Sequence, residues 1–139
     1  MSDPEARARF AAARVATLGT LGPDGSVHLV PCVFALPAPD RFVTAVDWKP
    51  KKTVELARLA NVRRAGTASA LVDHYDDTDW GALWWVRLSG PASVAAPGSS
   101  AHEQAVEALV ARYPQYDGRP PEGPAIVIEV THWQSWSAT

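Results

Sequence analysis

Val15-Ala16-Thr17-Leu18-Gly19-Thr20-Leu21-Gly22-Pro23-Asp24-Gly25-Ser26-Val27-His28-Leu29-Val30-Pro31-Cys32-Val33-Phe34-Ala35-Leu36 decides the architecture of this chain. Val15 to Leu21 reads as a strand, and Gly22-Pro23-Asp24-Gly25 puts proline and glycine where turns demand them. A link this short cannot carry a parallel crossover, so the chain returns antiparallel. The returning strand, Ser26 to Leu36, contains Pro31. A proline cannot donate to a ladder, which assigns this strand to an edge or a bulge.

The same grammar continues on both sides. Pro37-Ala38-Pro39-Asp40 forms a second turn, and Arg41 to Val46 a third strand. Upstream, Ser2-Asp3-Pro4-Glu5 combines a capping side chain, a first-turn proline and an acid at the positive dipole end. It opens a short helix, 3–14, with Ala6, Phe10 and Ala13 on one face. A second helix runs over 53–62, with Leu56, Leu59 and Ala60 as its apolar side. Thr67 to Tyr75 and Trp84 to Val94 are two more strands, joined by the acidic loop Asp76-Asp77-Thr78-Asp79. A third helix, 99–112, carries Val106, Leu109, Val110 and Tyr113 at helical spacing. A proline-rich loop then leads to a last strand, Ala125 to Val130. Six strands linked mostly by turns, with short peripheral helices, predict one mainly β (α+β) domain over 1–139, a small antiparallel barrel.

The 139 residues can bury a core without staples, and 47% apolar against 20% charged residues describes an ordinary globule. A net charge of −2 argues against nucleic acid or an acidic membrane surface as partner. That leaves little support for a barrel that binds single strands through lysines and tryptophans. Cys32 has no internal disulfide partner, which fits a reducing cytoplasm. Lying in an apolar run, it reads as an inert core thiol. No stretch has the length of a membrane span.

Two constellations carry chemistry. All three lysines fall in Asp47-Trp48-Lys49-Pro50-Lys51-Lys52-Thr53, between the third strand and the second helix. A helix start offers unpaired N–H groups and a positive dipole end, and ammonium groups beside it make a docking point for phosphate or carboxylate. The alternative is a solvated basic turn. Six tryptophans are the second: Trp48, Trp80, Trp84, Trp85, Trp133 and Trp136. Trp84 and Trp85 must point to opposite faces of their strand, so only one can belong to the core. The rest serve as core or interface anchors, or wall a planar ring clamped by a phosphate at one end. His74 among Asp73, Asp76 and Asp77 invites a metal, but no second histidine stands at ligand spacing, and no metal is expected.

The runs Arg14-Val15-Ala16-Thr17-Leu18, Gly22-Pro23-Asp24-Gly25-Ser26-Val27-His28-Leu29-Val30-Pro31, Thr44 to Thr53, Leu71-Val72-Asp73-His74-Tyr75-Asp76 and Leu83-Trp84-Trp85-Val86-Arg87 resemble the pyridoxamine-phosphate-oxidase-like split β-barrel proteins. With Tyr113-Pro114-Gln115-Tyr116, Pro120 to Pro124 and Trp133-Gln134-Ser135-Trp136-Ser137, the chain looks most like their actinobacterial deazaflavin (coenzyme F420) branch. The resemblance implies a six-stranded split barrel and a homodimer with two cofactor sites between subunits. It implies that Lys52 contacts the cofactor phosphate, with Lys51 and Thr53 flanking it; Lys49 and Trp48, from the reading of the lysine cluster itself, are expected to contribute. Val30, Pro31, Cys32 and Val33 would line the ring, and Trp84 and Trp85 would wall it from the other side. The expected activity is an oxidoreductase passing hydride between reduced F420 and a small-molecule substrate. FMN in an oxidase or reductase is the alternative ring, and a non-catalytic cofactor or haem carrier the alternative role. Where the family usually has an Asn-Pro-Arg-like turn, this chain has Arg64-Ala65-Gly66-Thr67-Ala68.

Overall fold

Gly22 and Gly25 close the first hairpin. The Gly22 N–H donates to the Ser26 carbonyl at 2.8 Å, and Gly25 takes a left-handed φ of 84°. The computed structural model describes residues 1–46 and 53–139, with the side chains of 53–56 outside that description; Trp48, Lys49, Lys51 and Lys52 lie outside it as well. Among the described residues the order is α1 (Asp3–Ala12), β1 (Ala16–Leu21), β2 (Val27–Cys32), β3 (Ala35–Ala38), β4 (Arg41–Ala45), α2 (Thr53–Ala65), β5 (Thr67–His74), β6 (Trp84–Ala95), α3 (Ser100–Arg112), β7 (Ala125–Glu129) and β8 (His132–Ser137). Single 3₁₀ turns sit at Trp80–Ala82 and Pro114–Tyr116.

The described residues thus hold eight strands where the sequence reading expects six. The long second strand breaks at Val33-Phe34 into β2 and β3, and the tail adds β8. Pairing runs β2-β1-β5-β6-β7-β4-β3, and every pair is antiparallel. β2 stands at one end of this path, the edge position that Pro31 requires. The twelve residues of β6 serve both halves of the barrel. On one edge β6 pairs with β5; on the other it pairs with β8 as far as Ser89 and with β7 from Ala92. The two ends of the path, β2 and β3, are joined through Val33-Phe34 rather than by a ladder, which leaves the barrel split at that point.

Inside the barrel Leu18, Phe42, Val86, Leu88, Ile126 and Ile128 are buried together. α1 plugs one end with Phe10, whose ring meets Phe34, Phe42 and Trp133 edge-on at 5.1, 6.2 and 5.8 Å. The helix is set by a capping box, Ser2 and Glu5 each accepting from the other's backbone N–H. α2 ends at Gly66, a glycine cap with φ 68° and its N–H on the Val62 carbonyl. α3 packs outside the β3-β4-β7 sheet. Its buried stripe is His102, Ala105, Leu109 and Tyr113; Val106 and Val110, expected inside, are half-buried on its flank. Among the described side chains of α2 the buried positions are Arg58, Leu59, Asn61 and Val62, while Ala60 faces out; Leu56, expected on the apolar side, lies outside the described side chains.

Tyr113 and Arg112 lock this arrangement at the split. The Tyr113 hydroxyl accepts from the Phe34 N–H at 3.1 Å and donates to the Phe34 carbonyl at 2.8 Å, with the Arg14 carbonyl at 3.0 Å. The Arg112 guanidinium donates to the carbonyls of Phe34, Ala11 and Ala13 and lies over the Phe34 ring. Removing the hydroxyl leaves a buried N–H without its acceptor, which costs about 1–3 kcal/mol. Tyr113→Phe is therefore expected to lower the urea midpoint with an unchanged m-value; an unchanged midpoint would show that water replaces the hydroxyl. Among the described residues no helix is long and apolar enough to cross a membrane.

Candidate functional site

At the split, a cavity of about 330 Å³ opens between the ends of β2 and β4. Pro31, Cys32 and Val33 form one wall and Thr44, Ala45 and Val46 the other. Arg58 from α2 lines it, as do Val15 before β1 and Tyr116 from the 3₁₀ turn after α3. The Thr44 hydroxyl donates to the Val33 carbonyl at 2.7 Å and ties the two walls together. Val46 is held from behind: its N–H donates to the Pro124 carbonyl at 2.9 Å, and its carbonyl accepts from the Gly123 N–H at 3.1 Å. A side chain at Gly123 would strike Val46, its Cβ only 2.6 Å from that of Val46, so the close approach needs glycine. His102 Nε2 meets the Gly123 carbonyl at 2.8 Å, linking α3 to the same wall.

The electrostatics are simple. Burial raises the Cys32 thiol above its ordinary pKa, and the neighbouring Thr44 hydroxyl and Arg58 guanidinium offset this only in part. Cys32 therefore sits in the wall as a neutral thiol rather than a nucleophile. Around it stand Val15, Pro31, Val33, Ala45 and Val46, with Thr44, Tyr116 and Arg58 as the polar residues of the lining. A cavity that joins apolar walls to a few polar groups is the usual form of a small-molecule or cofactor site.

Three of the residues assigned to the site from sequence, Pro31, Cys32 and Val33, meet in this cavity. Thr53 opens α2, and the stretch holding Trp48, Lys49, Lys51 and Lys52 joins that helix to cavity-lining Val46. Val30 does not line the cavity; it packs half-buried against the barrel core. Trp84 packs against the core as well, its ring stacked on His74 at 6.0 Å with Arg9 over it at 5.3 Å. Trp85 faces the other way, as strand alternation requires, with Arg87 over its ring at 5.1 Å. Within one chain neither tryptophan reaches the cavity lining. Trp133 is a structural anchor: its Nε1 donates to Asp40 at 3.0 Å, and Asp40 also takes a hydrogen bond from Arg7 at 2.6 Å. Both bonds, the tryptophan's foremost, hold the Asp40 carboxyl below its ordinary pKa.

The sequence reading passed over Thr44, Arg58 and Tyr116. The signal for Arg58 was available, since it stands beside Leu59 and one turn before Val62 on a face that is otherwise buried. Charged residues are so rarely buried that a pattern reading places them in solvent.

Register puts Trp136, Trp85 and Asp73 side by side on the outer face of the barrel half built from β8, β6, β5, β1 and β2. The next rows are Gln134, Arg87, Leu71, Thr17, Pro31 and then His132, Ser89, Ser69, Gly19, Leu29. Leu29 is 66% exposed and Val27 69%, beside an apolar depression of about 300 Å³ lined by Gly19, Leu21 and Ser69. Pro31 belongs to this face and to the cavity, so the cavity mouth and the apolar sheet face are continuous.

The split antiparallel barrel with a cavity at its split is the architecture of a known family. The pyridoxamine 5'-phosphate oxidase family model matches residues 2–137, and the chain belongs to that family. No curated protein matches the sequence. Among solved structures, the conserved hypothetical protein Rv2991 from Mycobacterium tuberculosis is similar, with TM-score 0.78 and 22% identity over 99% of this chain and 86% of that one. The heme storage protein HutZ from Vibrio cholerae gives TM-score 0.70 and 15% identity over 97% and 93%. A FAD-binding protein from Mesorhizobium loti gives 0.65 and 18% over 97% and 94%. At such identities the likeness is one of fold.

Proposed function

We propose that this protein is a homodimeric oxidoreductase that uses coenzyme F420 to reduce a small organic substrate. The observation that carries this reading is the slot formed by Pro31, Cys32, Val33, Thr44, Ala45 and Val46, whose last wall residue leads directly into the segment with all three lysines. A slot with aliphatic walls and a few polar groups, beside a cationic segment, suits a planar ring with an anionic tail. When bound, the deazaflavin would supply the hydride chemistry. The chain's own residues have narrower tasks: Pro31, Val33 and Ala45 exclude water from the ring, Thr44 fixes the spacing of the walls, and Lys52 holds the phosphate. No residue is assigned as a catalytic acid or base; the described walls hold a neutral thiol, two hydroxyls and a guanidinium.

The second subunit completes the site in this reading. The mouth opens onto the outer sheet face, where Leu29, Val27 and Leu21 are exposed, and Pro31 stands on both surfaces. A partner seated on that face would cover them and bring its own aromatic residues, Trp85 and Trp136 among them, toward the boundary. The choice of F420 over FMN rests on the sequence resemblance, since the slot suits either ring. Flavin and haem binders both occur among the structural neighbours.

The spectrum of the purified protein with titrations of F420 and FMN tests the assignment. The expected result is a colourless protein that binds F420 at low micromolar affinity or weaker. Stoichiometric FMN carried through purification, or a Soret band, would overturn it in favour of a flavin or haem protein. Within this reading Lys52→Ala weakens F420 binding roughly 10- to 150-fold, the worth of a charge-assisted hydrogen bond of about 1.5–3 kcal/mol. Equal affinity in both proteins, with Glu55→Ala as the unaffected control, would return the lysine cluster to a solvated turn.

A further inference from the structure

α3 carries more apolar surface than the sheet beneath it covers. Beside the stripe that meets the sheet, His102, Ala105 and Leu109, a second one runs along the flank: Val106 and Val110, half-buried, and Ala111, exposed. With Pro120 and Pro121 of the loop before β7, this flank forms a groove of about 740 Å³, more than twice the volume of the slot, about 330 Å³. His102 at its inner edge is taken up by the Gly123 carbonyl, 2.8 Å from Nε2. The other ionisable residues of the described lining are three exposed glutamates, Glu103 and Glu107 on α3 and Glu122 on the facing loop. Carboxylates thus rim the groove on both sides. Among the described residues no hydrogen bond or salt bridge takes them up, and Arg112 in the last turn of α3 is committed to the carbonyls of Phe34, Ala11 and Ala13. Glu103 suits the positive end of the helix dipole, but Glu107, a turn further on, and Glu122, on the loop, draw nothing from it.

Independently of the cofactor reading, we propose that this groove docks a basic amphipathic helix of a partner protein. Its apolar side chains sit against Val106, Val110 and Pro120, and its lysines or arginines meet the glutamate rim. Charge decides among the occupants. A second copy of this chain, seated symmetrically, would bring two glutamate rims together, and like charges across an interface are costly. Nucleic acid and anionic lipid are repelled by the same rim. The groove also lies apart from the proposed dimer face, since α3 packs on the β3-β4-β7 half of the barrel and that face belongs to the other half. The α3 residues of the lining run from Glu103 to Ala111, a stripe of about 12 Å along the helix axis. That accommodates about two turns of a helix laid alongside, with apolar anchors one turn apart.

The probe is a synthetic amphipathic helix of about sixteen residues, leucines along one face and lysines on both flanks, followed by fluorescence anisotropy. The wild type is expected to bind it about tenfold more tightly than a peptide of the same composition with its leucines scattered, and to lose affinity as salt is added. Glu107→Gln combined with Glu122→Gln should weaken binding about fivefold, and Val106→Thr combined with Val110→Thr by a similar factor. Glu107→Lys with Glu122→Lys should remove it. Asp3→Asn with Asp77→Asn makes the same change in net charge as the glutamine pair at exposed positions away from the groove, and should stay within about twofold of the wild type. Both glutamates are exposed, and a circular dichroism melt establishes that each variant is folded. A wild type that does not distinguish the two peptides overturns the proposal. So does a glutamine pair that loses no more affinity than the aspartate control, which would reduce the rim to net charge. Self-association of the wild type in sedimentation that disappears in the threonine pair would overturn it in favour of a second copy of the chain.

Discussion

Replacing Gly90 with alanine is expected to destabilise the protein by about 3 kcal/mol or more, lowering its melting temperature by roughly 10 °C. Gly90 lies where β6 exchanges β8 for β7 along one edge, and the chain of the partner strands crosses over it at the corner after Glu129. A Cβ there would sit 2.0 Å from the Glu129 carbonyl oxygen and 3.0 Å from the Thr131 nitrogen. Both contacts are backbone, so no side chain can swing aside, and Thr131 already donates to the Ser89 carbonyl at 2.9 Å across this corner. Relief requires the two halves of the barrel to separate. Gly98→Ala is the useful comparison: its φ is 88°, but nothing lies within 4 Å of the added carbon, so the cost is conformational alone, about 1 kcal/mol. Thermal melts of both variants check this. If Gly90→Ala melts no lower than Gly98→Ala, the corner relaxes freely and is not a constraint on the fold.

The other large effect belongs to the outer sheet face. Leu29→Glu is expected to convert the proposed dimer to monomers and, with them, to abolish cofactor binding. An uncompensated carboxylate at a buried interface costs about 3–5 kcal/mol, two to four orders of magnitude in the dimer dissociation constant. Because Leu29 is 66% exposed within one chain, the monomer should keep its circular dichroism spectrum. Light scattering at micromolar concentration together with a cofactor titration distinguishes the outcomes. A wild type that is already monomeric, or a monomeric variant that binds as the wild type does, would show that the slot is complete within one subunit.

The strands legible in the sequence were those whose signals are local. The Gly22–Gly25 turn, the capping box at Ser2 and the proline on β2 each act through neighbours only a few residues away. β8 was missed because its residues, His132-Trp133-Gln134-Ser135-Trp136-Ser137, look like a polar tail; they become a strand because the free edge of β6 from Trp84 to Ser89 offers them a ladder. The break of the second strand at Val33-Phe34 is likewise tertiary. The Phe34 N–H donates to the Tyr113 hydroxyl, 79 residues away, and the Phe34 carbonyl accepts from that hydroxyl and from Arg112. On α3 the apolar repeat at Val106 and Val110 was real, but the sheet meets the helix one position round, on His102, Ala105 and Leu109. One wall of the slot was legible for the same reason as the hairpin, since Pro31 to Val33 stand at the end of a readable strand. Tyr116 entered only when folding brought distant segments together, and Arg58 was passed over because a charged residue on a helix is read as solvated.

That assembly from distant segments has a kinetic consequence. Val15, Val33, Val46, Arg58 and Tyr116 meet around one slot, although they are spread over a hundred positions of the chain. No early hairpin contains more than a fragment of the wall, and contacts of such long range form slowly because the loops between them must be closed first. A chain still emerging from the ribosome would have no slot until the turn at Tyr116 had been synthesised and docked. Any ligand that fills the slot then binds only the finished barrel and draws the folding equilibrium toward it by mass action. Ligand supply and the steady-state amount of protein would be coupled, with the empty chain the more readily degraded form.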